Sequence, residues 1–378
     1  MLTLVLVENP NHLYKQNNPK YRATCRSARR IAICRPARRI AARSTALLAV
    51  VLVVALPTTL LAGCGDDSDN SITLYSGRNE PLIGPIIERF EAETGISVNV
   101  RYGNSADLAL LIDTEGSNSP ADVFISQSPG AIGFLNGKGR LRALPDSLLS
   151  LHPETTRSPD GNWVGLTGRQ RVLVYNPNLV SQADLPDSVF ALTDPKYNGR
   201  IGVAPQNSSF QDFITGMRTS QGDDVTADWL KGMADNNSPN YAKNSAIVDA
   251  VVRGEVDMGL VNHYYLLRRL DEEPNATGVN HYFAPDDIGS LVIVTAGAVL
   301  DSSDNRGNAE RLLRFLLNEE AQTYFATETK EYPLVAGVSA LPELPPRPEL
   351  TTAAIDFGNL TGGLERTLNL IQASGIEQ

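Results

Sequence analysis

The chain has 378 residues, which exceeds the usual size of one compact core and suggests two domains of ordinary size. Hydrophobic residues make up 42% of it and aromatic residues 6%, which excludes a disordered or collagen-like chain. The formal net charge of -10 hides an asymmetry: residues 1–63 hold ten basic side chains and one acid, whereas the other 315 residues hold 23 basic and 42 acidic ones. This acidic body repels phosphates, which argues against nucleic acid and anionic lipid as main partners.

The N-terminal segment has the pattern of a secretory signal. An uncharged, largely apolar stretch runs from Ser44 to Gly65 and follows several arginines. It contains Leu61-Ala62-Gly63-Cys64, which resembles the bacterial lipobox, where the cysteine is lipidated and becomes the new N-terminus. The alternative is a transmembrane helix with an incidental cysteine, because the stretch is nearly long enough to span a bilayer. We predict a leader over residues 1–63, lipidation at Cys64 and a tether over residues 64–70.

Cysteine usage agrees with this interpretation. Cys25 and Cys34 lie in the predicted leader, and Cys64 would be acylated. The mature body would therefore have no free thiol and no disulfide, so a cysteine-based metal site is excluded.

From residue 71 onward the pattern alternates between strands and helices, which predicts an α/β fold with largely parallel sheets. Strands are predicted at Ser71–Ser76, Ile96–Val100, Ala121–Ile125, Arg171–Tyr175, Ile201–Ala204, Val256–Val261 and Leu291–Thr295. Helices are predicted from Asn79 to a stop at Gly95, and at Leu108–Glu115, Phe210–Arg218, Ser245–Arg253 and Ala309–Ala326.

Polar segments follow four of these strands. They begin at Ser76, Ser126, Pro205 and Asn262. Ligands of such sheets bind beyond the carboxyl ends of strands, and free N–H groups at helix starts favour anions. The alternative interpretation is that Asn79, Ser126 and Asn207 are simply helix N-caps.

Two adjacent tyrosines, Tyr264 and Tyr265, follow the strand that ends near Asn262. From composition alone, paired phenols in a core are more often packing than chemistry. As phenolates, however, they are hard oxygen donors that suit a highly charged cation. Such binding would displace protons from groups with a pKa of about 10, so affinity would fall steeply in acid.

The body resembles a ferric-ion-binding, substrate-binding lipoprotein of a bacterial iron ABC transporter. The matching stretches are Leu74–Arg78, Phe90–Gly95, Pro120–Phe124, Gly168–Asn176, Asn262–Tyr265 and Glu331–Pro333. The resemblance implies a periplasmic-binding-protein-like fold, with two α/β lobes, a hinge and a ligand cleft between them. We expect lobe 1 to cover residues 71–170 plus about 295–345, and lobe 2 to cover 171–294 plus about 346–378.

The resemblance also implies a site. It makes Tyr264 and Tyr265 ligands of Fe(III), which is the transported cargo. It places a phosphate, carbonate or citrate-like anion on Ser128, Asn207, Ser208, Ser209, Asn244 and Asn262. Arg78 and Arg171 are further candidates that would neutralise the anion or hold the lobes closed. For Arg78 the alternative is surface solvation or a structural ion pair.

Two departures from the family pattern matter. Asn79 stands where many relatives have a histidine ligand, and Gln127 stands where they have a glutamate. A subgroup uses a third tyrosine from the loop that holds Ser208 here. Because neutral amides are poorer donors to Fe(III), we predict two strong protein ligands, with water, an anion or a chelator completing the shell; Asn79 and Gln127 stay candidate cleft residues. We expect His263 outside the metal shell, because a strand directs neighbouring side chains to opposite sides.

The implied function is capture of ferric iron and its delivery to an ABC permease by an exported, monomeric, lipid-anchored carrier on the outer face of the cytoplasmic membrane. One alternative is the same fold binding another ligand, such as an oxyanion, a phosphonate or a ferric chelate. Another is an enzyme. Against an enzyme, the chain has no Gly-x-Ser-x-Gly, His-Glu-x-x-His or phosphate-loop motif, and its mature body has only His152, His263 and His281 as histidines.

Overall fold

Strands and helices alternate through residues 70–348 and 363–378, which are the residues that the computed structural model describes. The strands are β1 Ser71–Ser76, β2 Ser97–Tyr102, β3 Val123–Ser126, β4 Val164–Tyr175, β5 Ile201–Gly202, β6 Met258–Asn262, β7 Val279–His281, β8 Val292–Val299 and β9 Tyr332–Pro333. The helices are α1 Glu80–Thr94, α2 Ser105–Glu115, α3 Pro129–Gly137, α4 Asp146–Leu149, α5 Ser208–Gln221, α6 Asp223–Asp235, α7 Asn244–Val252, α8 Tyr264–Glu272, α9 Arg306–Leu316, α10 Glu319–Thr327 and α11 Gly363–Ser374.

The predicted α/β class is confirmed. The predicted leader, the lipidation residue Cys64 and all but the last residue of the tether lie outside the described residues. None of the helices in the described part of the chain has both the length and the apolar character needed to cross a membrane.

The strands are ordered β2-β1-β3-β8-β4-β6-β5, and β7 and β9 also pair with β4. The pairs β1–β2, β1–β3 and β5–β6 are parallel. The pairs β3–β8, β4–β8 and β4–β6 are antiparallel, so the prediction of largely parallel sheets is wrong in the middle of the molecule. The direction of β4 and β8 depends on long-range returns of the chain, which no local pattern reveals.

Strand β4 links the two lobes, and all twelve of its residues are buried. The stretch from Val164 to Gln170 pairs with β8, and the stretch from Arg171 to Tyr175 pairs with β6. By the predicted division, lobe 1 would contain β1–β3, most of β8 and the helices α1–α3, α9 and α10, and lobe 2 would contain β5–β7 and the helices α5–α8 and α11. This division and the residue limits given above stay a prediction.

Each lobe has its own apolar core. In lobe 1, Phe90 and Phe315 pack edge to face with ring centroids 5.4 Å apart. In lobe 2, Phe213 packs edge to face on Trp229 at 5.8 Å, and Ile371 from the C-terminal helix α11 joins the same cluster. Full burial of one such side chain contributes about 1.5–3 kcal/mol, so each cluster contributes substantially to the stability of the fold.

The prediction of one helix over Ala309–Ala326 is wrong, because α9 ends at Leu316 and α10 begins at Glu319. The side chain of Asn318 accepts a hydrogen bond from the N–H of Ala321 at 2.8 Å and caps the second helix. Both helices pack on one core, so the apolar period continues across the break.

His152, in the segment before β4, is expected to limit stability in acid. It is 6% exposed, and burial together with the charge of Arg157 lowers its pKa to about 4. The unfolded chain takes up this proton near pH 6.5 and the folded protein does not, so stability is lost as the pH falls from about 6.5 to about 4. We expect His152→Gln to remove on the order of 3 kcal/mol of this loss, measured by urea unfolding across that range.

His281 supplies the matched control. It lies part-exposed in β7, and its Nε2 is 2.7 Å from the carbonyl oxygen of Pro186. We expect His281→Gln to keep the acid sensitivity of the unchanged protein. If His152→Gln keeps it too, the role given to His152 is wrong.

Candidate functional site

Tyr264 and Tyr265 form the start of helix α8, directly after β6. Their rings are stacked, with centroids 4.2 Å apart and planes inclined by 28°. Tyr264 is buried and Tyr265 is part-exposed. Burial, the neighbouring Tyr265 and a hydrogen bond between the two side chains raise the pKa of Tyr264 well above its ordinary value. The arrangement brings two phenol oxygens together, as two ligands of one cation would require.

His263 anchors the start of α8. Its Nδ1 accepts a hydrogen bond from the N–H of Gln170 at 3.0 Å, so its Nε2 carries the proton and donates to the carbonyl oxygen of Lys330 at 2.8 Å. Burial lowers its pKa to about 4, which keeps the ring neutral. Both nitrogens are therefore engaged within the protein, as expected for a residue outside a metal shell. The reason given from the sequence is wrong, because a helix and not a strand carries the tyrosines.

Arg78 lies in the turn after β1 and is 1% exposed. Its Nη1 donates to Oε1 of Glu331 at 2.8 Å, and Oε2 of that carboxylate accepts from Thr329 at 3.0 Å. Burial alone would raise the pKa of Glu331, but Arg78 and Arg169 outweigh it and hold the pKa below its ordinary value. The surface alternative for Arg78 is therefore wrong, and Arg78 forms a buried ion pair. Within the described residues its Nε and Nη2 have no hydrogen-bond partner.

Two further arginines, Arg169 and Arg171, lie two residues apart on β4, on the same side of the strand. Nη1 of Arg171 donates to Oδ1 of Asn262 at 3.1 Å, and its guanidinium lies 5.4 Å from the ring centroid of Phe213. Burial lowers the pKa of Arg171 to about 9, so it stays cationic at neutral pH. In the described part of the chain, Nε and Nη2 of Arg171 and Nδ2 of Asn262 are buried donors without acceptors.

Arg78 and Arg171 each lie near one member of the tyrosine pair. The charge of Arg78 interacts with Tyr264, and that of Arg171 interacts with Tyr265. The structure therefore brings these two predicted cations and the two tyrosines into one electrostatic cluster. Asn262 joins it through its bond to Arg171.

The two amides that replace the expected ligands are placed differently. The side chain of Gln127 donates to the carbonyl oxygen of Gly77, and its Oε1 accepts from Nη1 of Arg169 at 3.4 Å. Asn79 is exposed at the start of α1 and makes no side-chain cap bond. A role in metal binding stays a prediction for both.

Three of the predicted anion residues bind one another. Oδ1 of Asn207 accepts from Oγ of Ser209 at 2.7 Å and from Nδ2 of Asn244 at 3.2 Å, and it caps helix α5 through the N–H of Ser209. Nδ2 of Asn244 also donates to Oγ of Ser209 at 2.9 Å. Ser208 is part-exposed at the first position of α5. The cap interpretation is therefore correct for Asn207, whereas the N-cap of α3 is Ser128 and not Ser126.

Ser128 has a partner that the sequence did not indicate. Its Oγ donates to Oδ1 of Asp212 at 2.7 Å, and Asp212 is carried by α5 in lobe 2. The N–H of Gly130 is near this carboxyl group and favours its ionised form. Burial raises the pKa of Asp212 to about 7, against the opposing effects of Ser128 and Arg169.

Three functional candidates were missed in the sequence: Arg169, Asp212 and Glu331. The first two had a local signal. Arg169 precedes Arg171 by the period of a strand, and Asp212 follows Ser209 by one helical turn. Glu331 meets Arg78 across 253 positions of sequence, so no local pattern indicated their pairing.

Among the described residues, no group of three or more His, Cys, Asp and Glu side chains is placed to hold a metal ion. A cation site in this part of the chain would therefore depend on the tyrosine oxygens. The fold and this cluster of buried polar groups are those of a two-lobed binding protein. Residues 118–357 match the model of the bacterial extracellular solute-binding protein family, and the chain belongs to that family.

Comparisons with individual proteins support the same family. The chain is 32% identical over 340 residues to the major ferric iron-binding protein of Neisseria meningitidis serogroup B, covering 88% of this chain and 98% of the relative. It is 28% identical over 337 residues to the Fe(3+)-binding periplasmic protein of Serratia marcescens, covering 88% and 99%.

Solved structures are similar as well. Iron-bound HitA from Pseudomonas aeruginosa superposes with a TM-score of 0.75 at 33% identity, over 81% of this chain and 99% of HitA. The Trichodesmium protein IdiA (FutA), in complex with iron and citrate, superposes with a TM-score of 0.71 at 29% identity, over 81% and 99%. Both likenesses support the two-lobed fold.

The buried pair of Arg78 and Glu331 is expected to be costly to break. Arg78→Met leaves a carboxylate buried beside fewer cations, so we expect a loss of about 3–5 kcal/mol in the free energy of unfolding. The double variant Arg78→Met/Glu331→Gln should recover part of it, because neither charge is then left alone. Urea unfolding of the two single variants and the double variant measures the coupling.

Arg89→Met is the matched control, because the ion pair of Arg89 with Glu320 is about half exposed. We expect this change to cost less than about 1 kcal/mol. An effect of Arg78→Met no larger than that of Arg89→Met would show that the buried pair is not a structural constraint.

Proposed function

We propose that this protein captures ferric iron in the cleft between its lobes and delivers it to the permease of an ABC importer. The observation that carries the proposal is the stacked pair of Tyr264 and Tyr265 beside buried arginines. The ferric iron-binding relatives named above support the choice of cargo. The function is binding and release, without bond chemistry.

In this proposal Tyr264 and Tyr265 bind Fe(III) as phenolates. Phenolate oxygen is a hard donor that suits a small trivalent cation. Each phenol must release its proton on binding, so iron competes with protons and is held less tightly in acid. The buried position of Tyr264 excludes water from one side of the bound ion.

The charge of the cleft supports an anion as a further component. Fe(III) bound by two phenolates retains a net charge of +1. The three buried arginines, Arg78, Arg169 and Arg171, together with the ionised carboxylates of Asp212 and Glu331, add a further net charge of +1. An anion carrying about two negative charges, such as phosphate, carbonate or a citrate-like chelator, would compensate them.

Several donors are placed to hold that anion. Nε and Nη2 of Arg171 and Nδ2 of Asn262 are buried without acceptors in the described residues, and charged donors bind oxyanions strongly. We assign Asn207, Ser208, Ser209 and Asn244 to the same role. Ser128 differs from them, because its hydroxyl is already bound to the carboxyl group of Asp212.

A ferric chelate is the second candidate cargo. Asn79 and Gln127 replace the stronger ligands of many relatives, and Gln127 is engaged within lobe 1, so the protein supplies few ligands of its own. The related Trichodesmium structure that contains iron and citrate supports this variant. An oxyanion or phosphonate without iron would leave the tyrosine pair unexplained.

Delivery follows from closure of the two lobes. Iron on the tyrosines gains further contacts when the lobes close, so cargo shifts the open–closed equilibrium by its difference in affinity for the two states. We propose that the permease recognises the closed, monomeric carrier. A lipid on Cys64 would keep the carrier near the permease and raise its effective concentration.

The iron proposal is tested by colour. Titration of the protein with ferric citrate is expected to give a visible phenolate-to-iron band, which Tyr264→Phe/Tyr265→Phe should abolish. Because loss of even a supporting residue costs 10–100-fold in metal affinity, we expect the double variant to bind iron at least about 100-fold more weakly. Absorbance titration and competition with a chelator measure both effects.

Tyr197→Phe is the control, because Tyr197 is buried in lobe 2 and its hydroxyl donates to the carbonyl oxygen of Asp184 at 2.9 Å. It should keep the full band. A colourless protein that binds phosphate or a phosphonate tightly would instead favour the oxyanion alternative.

The lipid anchor is tested in cells. We expect Cys64→Ser to move the protein from the membrane fraction to the soluble exported fraction and to abolish labelling by a fatty-acid analogue. Cys25→Ser/Cys34→Ser, which changes the two cysteines of the predicted leader, should leave both unchanged. A Cys64→Ser protein that stays fully in the membrane would favour the transmembrane alternative.

A further inference from the structure

A carboxyl group from one lobe binds the start of a helix in the other. Helix α3 of lobe 1 begins after Ser128, whose own side chain makes no cap bond. Oδ1 of Asp212 instead accepts a hydrogen bond from Oγ of Ser128 at 2.7 Å, and the N–H of Gly130 is near enough to the same carboxyl group to favour its ionised form. A serine hydroxyl and a free N–H at a helix start are the groups that commonly bind an anion. Here a side chain of the protein takes that place.

The contact is dry and close. Ser128 is 6% exposed and Asp212 is 3% exposed, so water does not compete for these hydrogen bonds. A Cβ on Gly130 would lie 3.9 Å from Oδ1 of Asp212, which is ordinary van der Waals contact, so the start of α3 lies close to the carboxyl group. The two helices involved, α3 and α5, are assigned to different lobes, so separating the lobes would break the hydrogen bond of Ser128 to Asp212 and move the N–H of Gly130 away from the carboxyl group.

The far side of the carboxyl group faces the cations of β4. Its second oxygen, Oδ2, has no hydrogen-bond partner in the described residues, and its charge interacts with Arg169 and Arg171. Asp212 thus contacts Ser128 at the start of α3 and interacts electrostatically with the two arginines of the linking strand. This is the position in which a bound oxyanion would bridge the lobes.

A second contact joins the lobes through Lys330 and Asp271, whose charged atoms are 2.9 Å apart. Asp271 is 61% exposed, so water and salt weaken this ion pair. The buried hydrogen bond between Ser128 and Asp212 is therefore the stronger of these two contacts, and the hydrogen bond of His263 to the carbonyl oxygen of Lys330 joins the lobes as well.

We propose that Asp212 is a built-in substitute for an anion: it caps α3 across the cleft, favours the closed form before cargo binds, and keeps free oxyanions off Ser128. The anion that accompanies the cargo is then directed to Arg171 and Asn262, where buried donors are without acceptors. The inference rests on the two-lobed fold and not on the identity of the cargo.

The test is hydrogen exchange of the full chain, free of iron, read by mass spectrometry on peptides that cover the start of α3. In the unchanged protein the N–H of Gly130 should be protected and should not respond to acetate. Asp212→Ala removes hydrogen bonds to a group that can be charged, so exchange should rise about tenfold or more. Added sodium acetate should restore protection, because its carboxylate can enter the vacated place.

Two variants complete the design. Asp212→Asn keeps an acceptor oxygen without the charge, so its exchange should be intermediate and indifferent to acetate. Asp271→Ala breaks the exposed interlobe pair and should leave α3 unchanged.

Three results would overturn the proposal. In the first, Gly130 exchanges as fast in the unchanged protein as in Asp212→Ala. In the second, Asp212→Ala exchanges faster but does not respond to acetate, which removes the anion role. In the third, Asp212→Ala does not fold and Asp212→Asn exchanges like the unchanged protein. Because no iron is added in this experiment, its result can be interpreted even if the iron proposal fails.

Discussion

Three arginines and two carboxyl groups lie buried where the two lobes meet, and the cost of hiding charge from water shapes the rest of the cleft. An isolated ion in a protein interior costs several kcal/mol, so each of these groups requires a partner. Arg78 takes Glu331, and Asp212 takes Ser128 and the start of α3. The remaining net charge of these buried groups is positive, and Nε and Nη2 of Arg171 have no hydrogen-bond acceptor among the described residues. In the function proposed above, these donors hold the anion that accompanies the cation bound by the phenolates.

The requirement that buried polar and charged groups have partners also explains how the tyrosine pair is held in place. Lys330 adopts the left-handed conformation, with φ at 62°, which costs a non-glycine residue about 1 kcal/mol or more. In the segment that contains it, the carbonyl oxygen of Lys330 accepts from His263 and the next side chain, Glu331, reaches Arg78. His263 immediately precedes Tyr264. One strained turn therefore connects the ion pair of lobe 1 to the tyrosines of lobe 2.

The position of β4 has a further consequence for movement. It pairs with β8 as far as Gln170 and with β6 from Arg171, so the change of lobe falls between residues that contact the site. The N–H of Gln170 donates to His263, and the side chain of Arg171 donates to Asn262. A rotation at this point would move the donors and the tyrosines relative to lobe 1. The point at which β4 changes its partner strand is thus bonded directly to the segment that carries the tyrosine pair.

The sequence by itself determined the α/β class, most strand and helix positions, the tyrosine pair and the candidate polar residues. Each of these depends on a local period, a helix stop such as Gly95 or a short motif. The two-residue period of a strand could also have indicated that Arg169 lies on the same face of β4 as Arg171. The sequence did not predict the break between α9 and α10 at Asn318, because both helices pack on one core and the spacing of apolar residues continues across it.

Only the tertiary structure decided the antiparallel direction of β4 and β8, the pairing of Arg78 with Glu331 and the capping of α3 by Asp212. These contacts join residues that are 84 or more positions apart, and their formation depends on how two separately stabilised lobes meet. The partner of a buried charge is set by desolvation in the folded protein, which local sequence does not encode. The residues were therefore readable from the sequence, whereas the buried ion pairs and hydrogen bonds were not.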